Sequence, residues 1–189
     1  MEKKLIRKIY LQKRNDLQKM DFKTNSKKIT DLAISYIKDL KPTCVHCFLS
    51  INSKLELNTN PIIDYCWSNG IKVVVPISDF NSYTMKTALY HSNTNLVEKN
   101  YNILEPENPI LTKNDEIDII ITPLLAFDIN GFRVGYGKGF YDKFFNAFKS
   151  QPIKMGLSMF EPIKEISDVN SYDIPLNICV TPEKIYSFS

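Results

Sequence analysis

The sequence predicts an α/β domain with a largely parallel sheet, and three observations lead there. Apolar runs of strand length, such as IKVVVP (71–76) and IDIIITP (117–123), are continuous rather than alternating, as strands covered on both faces require. These runs alternate along the chain with segments whose apolar residues recur at helical spacing. No repeat and no Gly/Ser- or Pro-rich linker divides the 189 residues, so residues 1–189 read as a single domain, long enough for a sizeable core.

The elements follow in order. Leu5, Ile9 and Leu17 recur at helical spacing and predict an amphipathic helix over 2–19. Thr24 is a candidate N-cap for a second helix over 24–39, whose inner face carries Ile29, Leu32, Ala33, Tyr36 and Ile37. TCVHCFLS (43–50) is a buried strand. Thr59 and Pro61 start a helix that Gly70 ends, and IKVVVP follows as a strand. YTMKTALY (83–90) alternates, as a more exposed strand would. IDIIITP is a buried strand stopped by Pro123. YDKFFNAF reads as helix, IKMGLSMF (153–160) as strand, and LNICVTP (176–182) as a last short strand. Ligands of such sheets bind outside the carboxyl ends of the strands. The loops after Ser50, Pro76 and Pro123 are therefore the expected site.

Composition narrows the class. Hydrophobic residues at 43% and charged residues at 24% are ordinary for a soluble globular protein. No apolar run approaches the ~20 residues of a membrane span. The first residues are Lys-rich and periodic, unlike a secretory or transit segment, so the expectation is a cytoplasmic protein without a membrane partner. Cys44, Cys47, Cys66 and Cys179 lack the spacing of a disulfide framework. CVHC (44–47) has zinc-binding residue types but no second knuckle, and in a strand Cys44 and His46 share one face while Cys47 faces the other. Buried, reduced thiols are the expectation. The net charge of +3 is uneven: residues 1–41 hold 12 Lys/Arg against 5 Asp/Glu, or +7, and the remainder holds 12 against 16, or −4. A basic block of this kind meets nucleic acid, meets one polyanionic small molecule, or forms a solvated face. The absence of a basic, aromatic-stacking motif and the mildly acidic remainder argue against nucleic acid.

The chemistry concentrates in GFRVGYGKGFYDKFF (131–145), which holds four of the chain's six glycines. Backbone that approaches a phosphate closely must lack a Cβ, and successive bare N–H groups form an anion-binding nest. A helix is expected to begin just after Gly135, Gly137 and Gly139, adding its dipole. Arg133 and Lys138 supply forked and mobile positive charge. Asp142 is placed to hold magnesium, which takes one or two carboxylates together with phosphate oxygens. The usual templates do not fit. Phe132 stands where a Walker loop has its first glycine and Gly139 where it has Ser or Thr. Phe140 stands where a dinucleotide fingerprint has its third glycine. By itself the pattern suits either a phosphate site or a tight loop before a helix.

Five stretches together resemble the 5-formyltetrahydrofolate cyclo-ligase family, over nearly the full length. They are KKLIRKIYLQKR, FLSINSKLELNT, NILEP, SYDIPLNICVTPEKI and, far the most specific, PLLAFDINGFRVGYGKGFYDKFF. The departures are local. Leu124 and Leu125 replace a Gly and its neighbour, Phe140 replaces a Tyr, Asn177 stands where an acid is frequent, and Pro182 displaces an acid to Glu183. The resemblance implies a three-layer α/β/α, Rossmann-like fold. It also implies the ATP- and magnesium-dependent conversion of 5-formyltetrahydrofolate to 5,10-methenyltetrahydrofolate, ADP and phosphate, by a monomer or weak homodimer. On this likeness Lys3, Arg7 and Arg14, on roughly one helix face, would meet ATP phosphates. Arg133, Val134, Gly135, Tyr136, Gly137, Lys138, Gly139, Phe140 and Tyr141 would wrap the triphosphate, with Lys138 and Arg133 catalytic. Asp142 and Asp173 would hold magnesium. Ile51, Glu56 and residues 136–140 would form the folate pocket, with Glu56 gripping the substrate.

Overall fold

The computed structural model describes residues 1–149 and 151–188. Two long helices, α1 (Lys3–Asp16) and α2 (Lys19–Leu40), lead into β1 (Cys44–His46), α3 (Asn60–Ser68), β2 (Lys72–Asp79) and β3 (Thr84–Leu89). Short strands β4 (Leu96–Glu98), β5 (Leu104–Pro106) and β6 (Leu111–Thr112) precede β7 (Ile119–Pro123). The hairpin β8 (Ala126–Phe127) and β9 (Arg133–Val134) is followed by α4 (Phe140–Asn146), β10 (Ile153–Leu157), β11 (Ile178–Val180) and β12 (Ile185–Ser187).

Among the described residues the main sheet has eight strands in the order β12-β11-β10-β7-β1-β2-β3-β6. The centre, from β11 to β2, is parallel. β12 closes one edge antiparallel, and β3 with β6 closes the other. Each central strand sends alternate side chains to opposite faces. Val73 and Val75 join Val45, Ile119 and Ile121 on the face covered by Ile29, Ala33 and Ile37 of α2 and Ile62, Ile63 and Cys66 of α3. Val74, Ile120 and Cys44 face the other way, onto Phe144, Phe145 and Phe148 at α4. Covering both faces makes the strands continuously apolar in sequence, and gives the three layers.

The helical N-terminus differs from its expected form. The chain is extended at Leu17 and Gln18, with ψ of 125° and 143°, so α2 starts at Lys19 and Thr24 lies inside it rather than capping it. The inward residues of α1 are Ile6, Tyr10 and Arg14, while Leu5 is about half exposed. The reason is the partner. α1 packs on the β8–β9 hairpin, through Leu125, Ala126 and Val134, and α2 packs on the sheet, so the chain must turn between them. The hairpin is held by buried Asp128, whose Oδ1 accepts from the N–H groups of Asn130 and Phe132 and whose Oδ2 accepts from that of Ile166. Its turn needs Gly131, at φ +83°, where a Cβ would meet the Phe188 ring at 2.7 Å.

Candidate active site

In chain order the parallel strands are β1, β2, β7, β10 and β11, and in space they run β2-β1-β7-β10-β11. Connections leave β1 on one side toward β2 and later strands build outward from β7, so the order reverses at the β1/β7 boundary. The crevice beyond the carboxyl ends there is where such sheets bind ligands. A cavity of about 360 Å³ opens at that place, lined by Phe48, Leu49 and Ile51 after β1, Pro76 and Ser78 in β2, and Pro123 at the end of β7. These are the loops and strand ends the sequence singled out.

The glycine segment forms one wall. Gly135, Tyr136, Gly137, Lys138, Gly139, Phe140, Tyr141 and Asp142 all line the cavity. Among the described residues, the backbone N–H groups of residues 135–139 donate to no protein acceptor. Unpaired backbone donors of this kind are satisfied by solvent or by a ligand. Gly137 sits at φ +86° with the Arg7 guanidinium carbon 3.0 Å from where a Cβ would be, so glycine serves both the turn and the cation. α4 has only seven residues, so the N–H groups of the loop, more than a long helix dipole, make this wall attractive to anions.

Cations and acids are interlocked around it. Arg7 lines the cavity and donates from Nε to the Gly135 carbonyl at 2.9 Å. Lys3 pairs with Asp173, whose Oδ2 also accepts from the Asn170 N–H at 2.7 Å. Arg133 is nearly enclosed. Its Nη1 donates to the Ile174 carbonyl at 2.6 Å and its Nη2 to Asp142 Oδ1 at 2.9 Å, and that same oxygen accepts from the Ile174 N–H. Burial pulls the Arg133 guanidinium below its ordinary value, and the Asp142 carboxylate opposes the shift. The expected contact of Arg133 with a triphosphate thus competes with two protein acceptors. Lys138, by contrast, is exposed and makes no hydrogen bond among the described residues; its ammonium lies 5.7 Å from the centre of the Tyr83 ring.

The opposite chemistry lies at Glu56. It is buried, accepting from the Ile51 N–H at 2.8 Å and the Tyr136 hydroxyl at 2.7 Å. Burial pushes its pKa up, partly offset by those two donors and by nearby Arg14 and Lys54. Two residues expected at the triphosphate are not brought to the cavity. Val134 is buried against Ile6 and Tyr10, pairs with Ala126, and accepts from the Leu125 N–H through its carbonyl at 2.8 Å. Arg14 is buried at 6% exposure with its terminal nitrogens turned onto protein oxygens, because it lies on the inward face of α1.

Magnesium fits the acids in a limited way. Among the described residues no group of three or more His, Cys, Asp or Glu side chains converges. Asp142 and Asp173 nonetheless both line the cavity, and among the described residues each uses only one carboxylate oxygen on the protein. That leaves one oxygen apiece, a donor set suited to a cation that draws its remaining ligands from phosphate and water. At CVHC, Cys44 and Cys47 are free and buried, as are Cys66 and Cys179.

The sequence reading missed two neighbours of the site, Phe80 and Tyr101. Phe80 and Tyr101 line the cavity mouth with Phe140, with ring centres 4.8 Å and 5.1 Å from Phe80. Residue type alone gave no signal for them. His46, fully buried beside Tyr141 and Phe144, has its pKa lowered to about 3 by burial and is neutral. The Tyr141 hydroxyl is buried without a hydrogen-bond partner among the described residues.

Comparison with known proteins identifies the family. The model of the 5-formyltetrahydrofolate cyclo-ligase family matches residues 1–182. The 5-formyltetrahydrofolate cyclo-ligase of Escherichia coli K12 is 34% identical over 150 residues, covering 76% of this chain and 80% of its own. That of Mycoplasma genitalium is 26% identical over 181 residues, covering 95% and 98%. Among solved structures, the 5,10-methenyltetrahydrofolate synthetase of Aquifex aeolicus superposes with a TM-score of 0.76 at 25% identity, covering 99% of this chain and 93% of that one. The enzyme of the same name from Mycoplasma pneumoniae gives 0.75 at 18% identity, covering 96% and 99%, a likeness of fold. With its motifs in order on this fold and the family matched across 182 of 189 residues, the chain belongs to the 5-formyltetrahydrofolate cyclo-ligase family.

Proposed function

We propose that this enzyme converts 5-formyltetrahydrofolate to 5,10-methenyltetrahydrofolate at the expense of ATP, with magnesium. The observation that carries the reading is one cavity with two unlike walls. One has unpaired backbone N–H groups, Lys138 and Arg7, suited to a polyphosphate; the other has the buried Glu56 carboxylate, suited to N–H donors of a heterocycle.

The chemistry such a site must perform follows from the substrate. A formamide carbonyl is a poor electrophile, so its oxygen first attacks the γ-phosphorus and the bond to ADP breaks. Nitrogen-10 then attacks the activated carbon and loses its proton. The carbon–oxygen bond breaks, and phosphate leaves carrying the former formyl oxygen. Phosphoryl transfer of this kind depends on positioning and on stabilising charge, so no covalent nucleophile on the protein is needed. Lys138 would follow the moving phosphoryl group. The N–H groups of residues 135–139 and Arg7 would hold the phosphates that stay. Arg133 would act by fixing Asp142, and Asp142 with Asp173 would hold magnesium, which when bound neutralises phosphate charge. Glu56, Ile51 and the 136–140 loop would orient the folate. No helix of the described residues is long and apolar enough to cross a membrane.

The test is direct. Protein, ATP, magnesium and 5-formyltetrahydrofolate are mixed and methenyltetrahydrofolate absorbance is followed. Growth that requires all four components supports the proposal, and no growth with folded protein refutes it.

A further inference from the structure

We propose that Arg14 is a positioning residue for the folate wall, aligning Glu56 through Tyr136, and does not contact ATP; this rests on the function proposed above. Its surroundings carry the inference. Arg14 Nη2 donates to the Leu124 carbonyl at 2.7 Å, and Nη1 donates to the Tyr136 hydroxyl at 3.0 Å and the Lys54 carbonyl at 3.4 Å. Three separate segments, after β1, after β7 and in the glycine loop, are thereby tied to one guanidinium. Meeting a phosphate would mean abandoning these bonds and leaving the Leu124 carbonyl without this donor in a buried place, which is unfavourable.

The polarity of the network gives it a function. Arginine has donors only, so the Tyr136 oxygen must accept from Arg14, and its single proton is directed to Glu56. Glu56 Oε1 takes that proton at 2.7 Å while Oε2 takes the Ile51 N–H at 2.8 Å. The carboxylate is thus fixed in plane and kept as an acceptor, with lone pairs left for a ligand in the cavity it lines. Lys54, whose ammonium lies over the Tyr136 ring at 4.3 Å from its centre, adds a contact to the same tyrosine. Arg7 is the contrast. It lines the cavity and, among the described residues, hydrogen-bonds the protein through Nε only, so a phosphate contact falls to Arg7.

The experiment compares Arg14→Met, Arg14→Lys and Tyr136→Phe with the wild type, titrating each substrate while the other saturates. Arg14→Met and Tyr136→Phe should each raise the KM for 5-formyltetrahydrofolate about tenfold, the worth of one charge-assisted bond, with the KM for ATP within about twofold. Arg14→Lys should recover part of the loss. The double variant should be little worse than either single one, since both break one chain of bonds. A second readout is the acid limb of kcat/KM for the folate. Glu56 is faced by Arg14 from α1, Tyr136 from the glycine loop, Lys54 from its own segment and Tyr141 from α4. Removing the Arg14 charge should move that limb to higher pH. A raised KM for ATP with an unchanged folate KM overturns the inference. So does a lower melting temperature with both KM values unchanged, which is a purely structural result. Tyr136→Phe keeps Arg14 packed, so the inference stays testable if Arg14→Met does not fold. A wild type that forms no product would overturn the proposed reaction instead.

Discussion

Replacing Arg133 with Met separates direct catalysis from support. The guanidinium is 6% exposed, bridges the Ile174 carbonyl and Asp142, and lies 4.7 Å from the centre of the Phe145 ring. Met keeps the packing on Phe145 and removes two charge-assisted hydrogen bonds, each worth about 1.5–3 kcal/mol. Asp142 is 27% exposed, so water replaces part of what it loses and the total falls toward the low end, about 3 kcal/mol. For a domain of this size that lowers Tm by about 6–12 °C. Lys cannot fork between two acceptors, so Arg133→Lys should fall between Met and wild type. If Arg133 acts by fixing Asp142, turnover measured well below Tm should fall together with a raised magnesium requirement, and high magnesium should restore part of it. The assays are thermal melts and rates against magnesium. An Arg133→Lys variant with wild-type Tm whose lost turnover no magnesium concentration restores would refute this, and would put the guanidinium on the transferring phosphoryl group.

Three further outcomes are expected. Lys138→Met should lower turnover by about 10²–10³-fold, the cost of one lost preorganised donor, with a smaller change in ATP affinity and an unchanged Tm; comparable losses in affinity and rate would make it a simple phosphate anchor. Glu56→Gln should raise the folate KM and leave that for ATP alone. Because burial raises the Glu56 pKa, its ionisation lowers stability as pH rises through that value, so the Gln variant should melt no lower than wild type at pH 7. His46, held near pKa 3, stays neutral when folded and binds a proton when unfolded below about pH 6.5. Stability is therefore lost as pH falls, by about 2 kcal/mol at pH 5 relative to pH 8, and His46→Phe should remove that share of the loss in paired melts; an equal acid loss in both proteins would count against it.

The sheet was legible because its central strands are buried on both faces, which writes an unbroken apolar run into VVV and III. The short strands left no such trace: β8 and β9 have two residues each, and their pairing comes from the Asp128 turn. The break between α1 and α2 was hidden for a related reason. Leu17 and Gln18 are adequate helix formers, and only the different packing targets of the two helices force the turn. At the site, residue identity was readable and partnership was not. The sequence supplied Arg14, Arg133 and Asp142 as charges, but which acceptor each one faces depends on loops more than a hundred residues apart in the case of Arg14 and Leu124.

Partnership also sorts the cations by task. Lys3 is held by Asp173, Arg7 by the Gly135 carbonyl, Arg133 by Asp142 and Ile174, and Arg14 by Leu124 and Tyr136. Each loses freedom to a protein acceptor, and such a charge can shape a site but cannot travel far with a reacting group. Lys138 alone among these five has no hydrogen bond within the described residues, and it stands between two glycines at φ +86° and +71°. A long, flexible ammonium on a loop that carries few side-chain contacts can follow a phosphoryl group from one oxygen to another. In the proposed reaction the fixed cations at the cavity, Lys3, Arg7 and Arg133, would keep the ends of the path in place. Moving a phosphoryl group between two bound substrates, as proposed above, would call for both kinds of charge, and the glycine loop carries the mobile one on the cavity that Lys3, Arg7 and Arg133 also line.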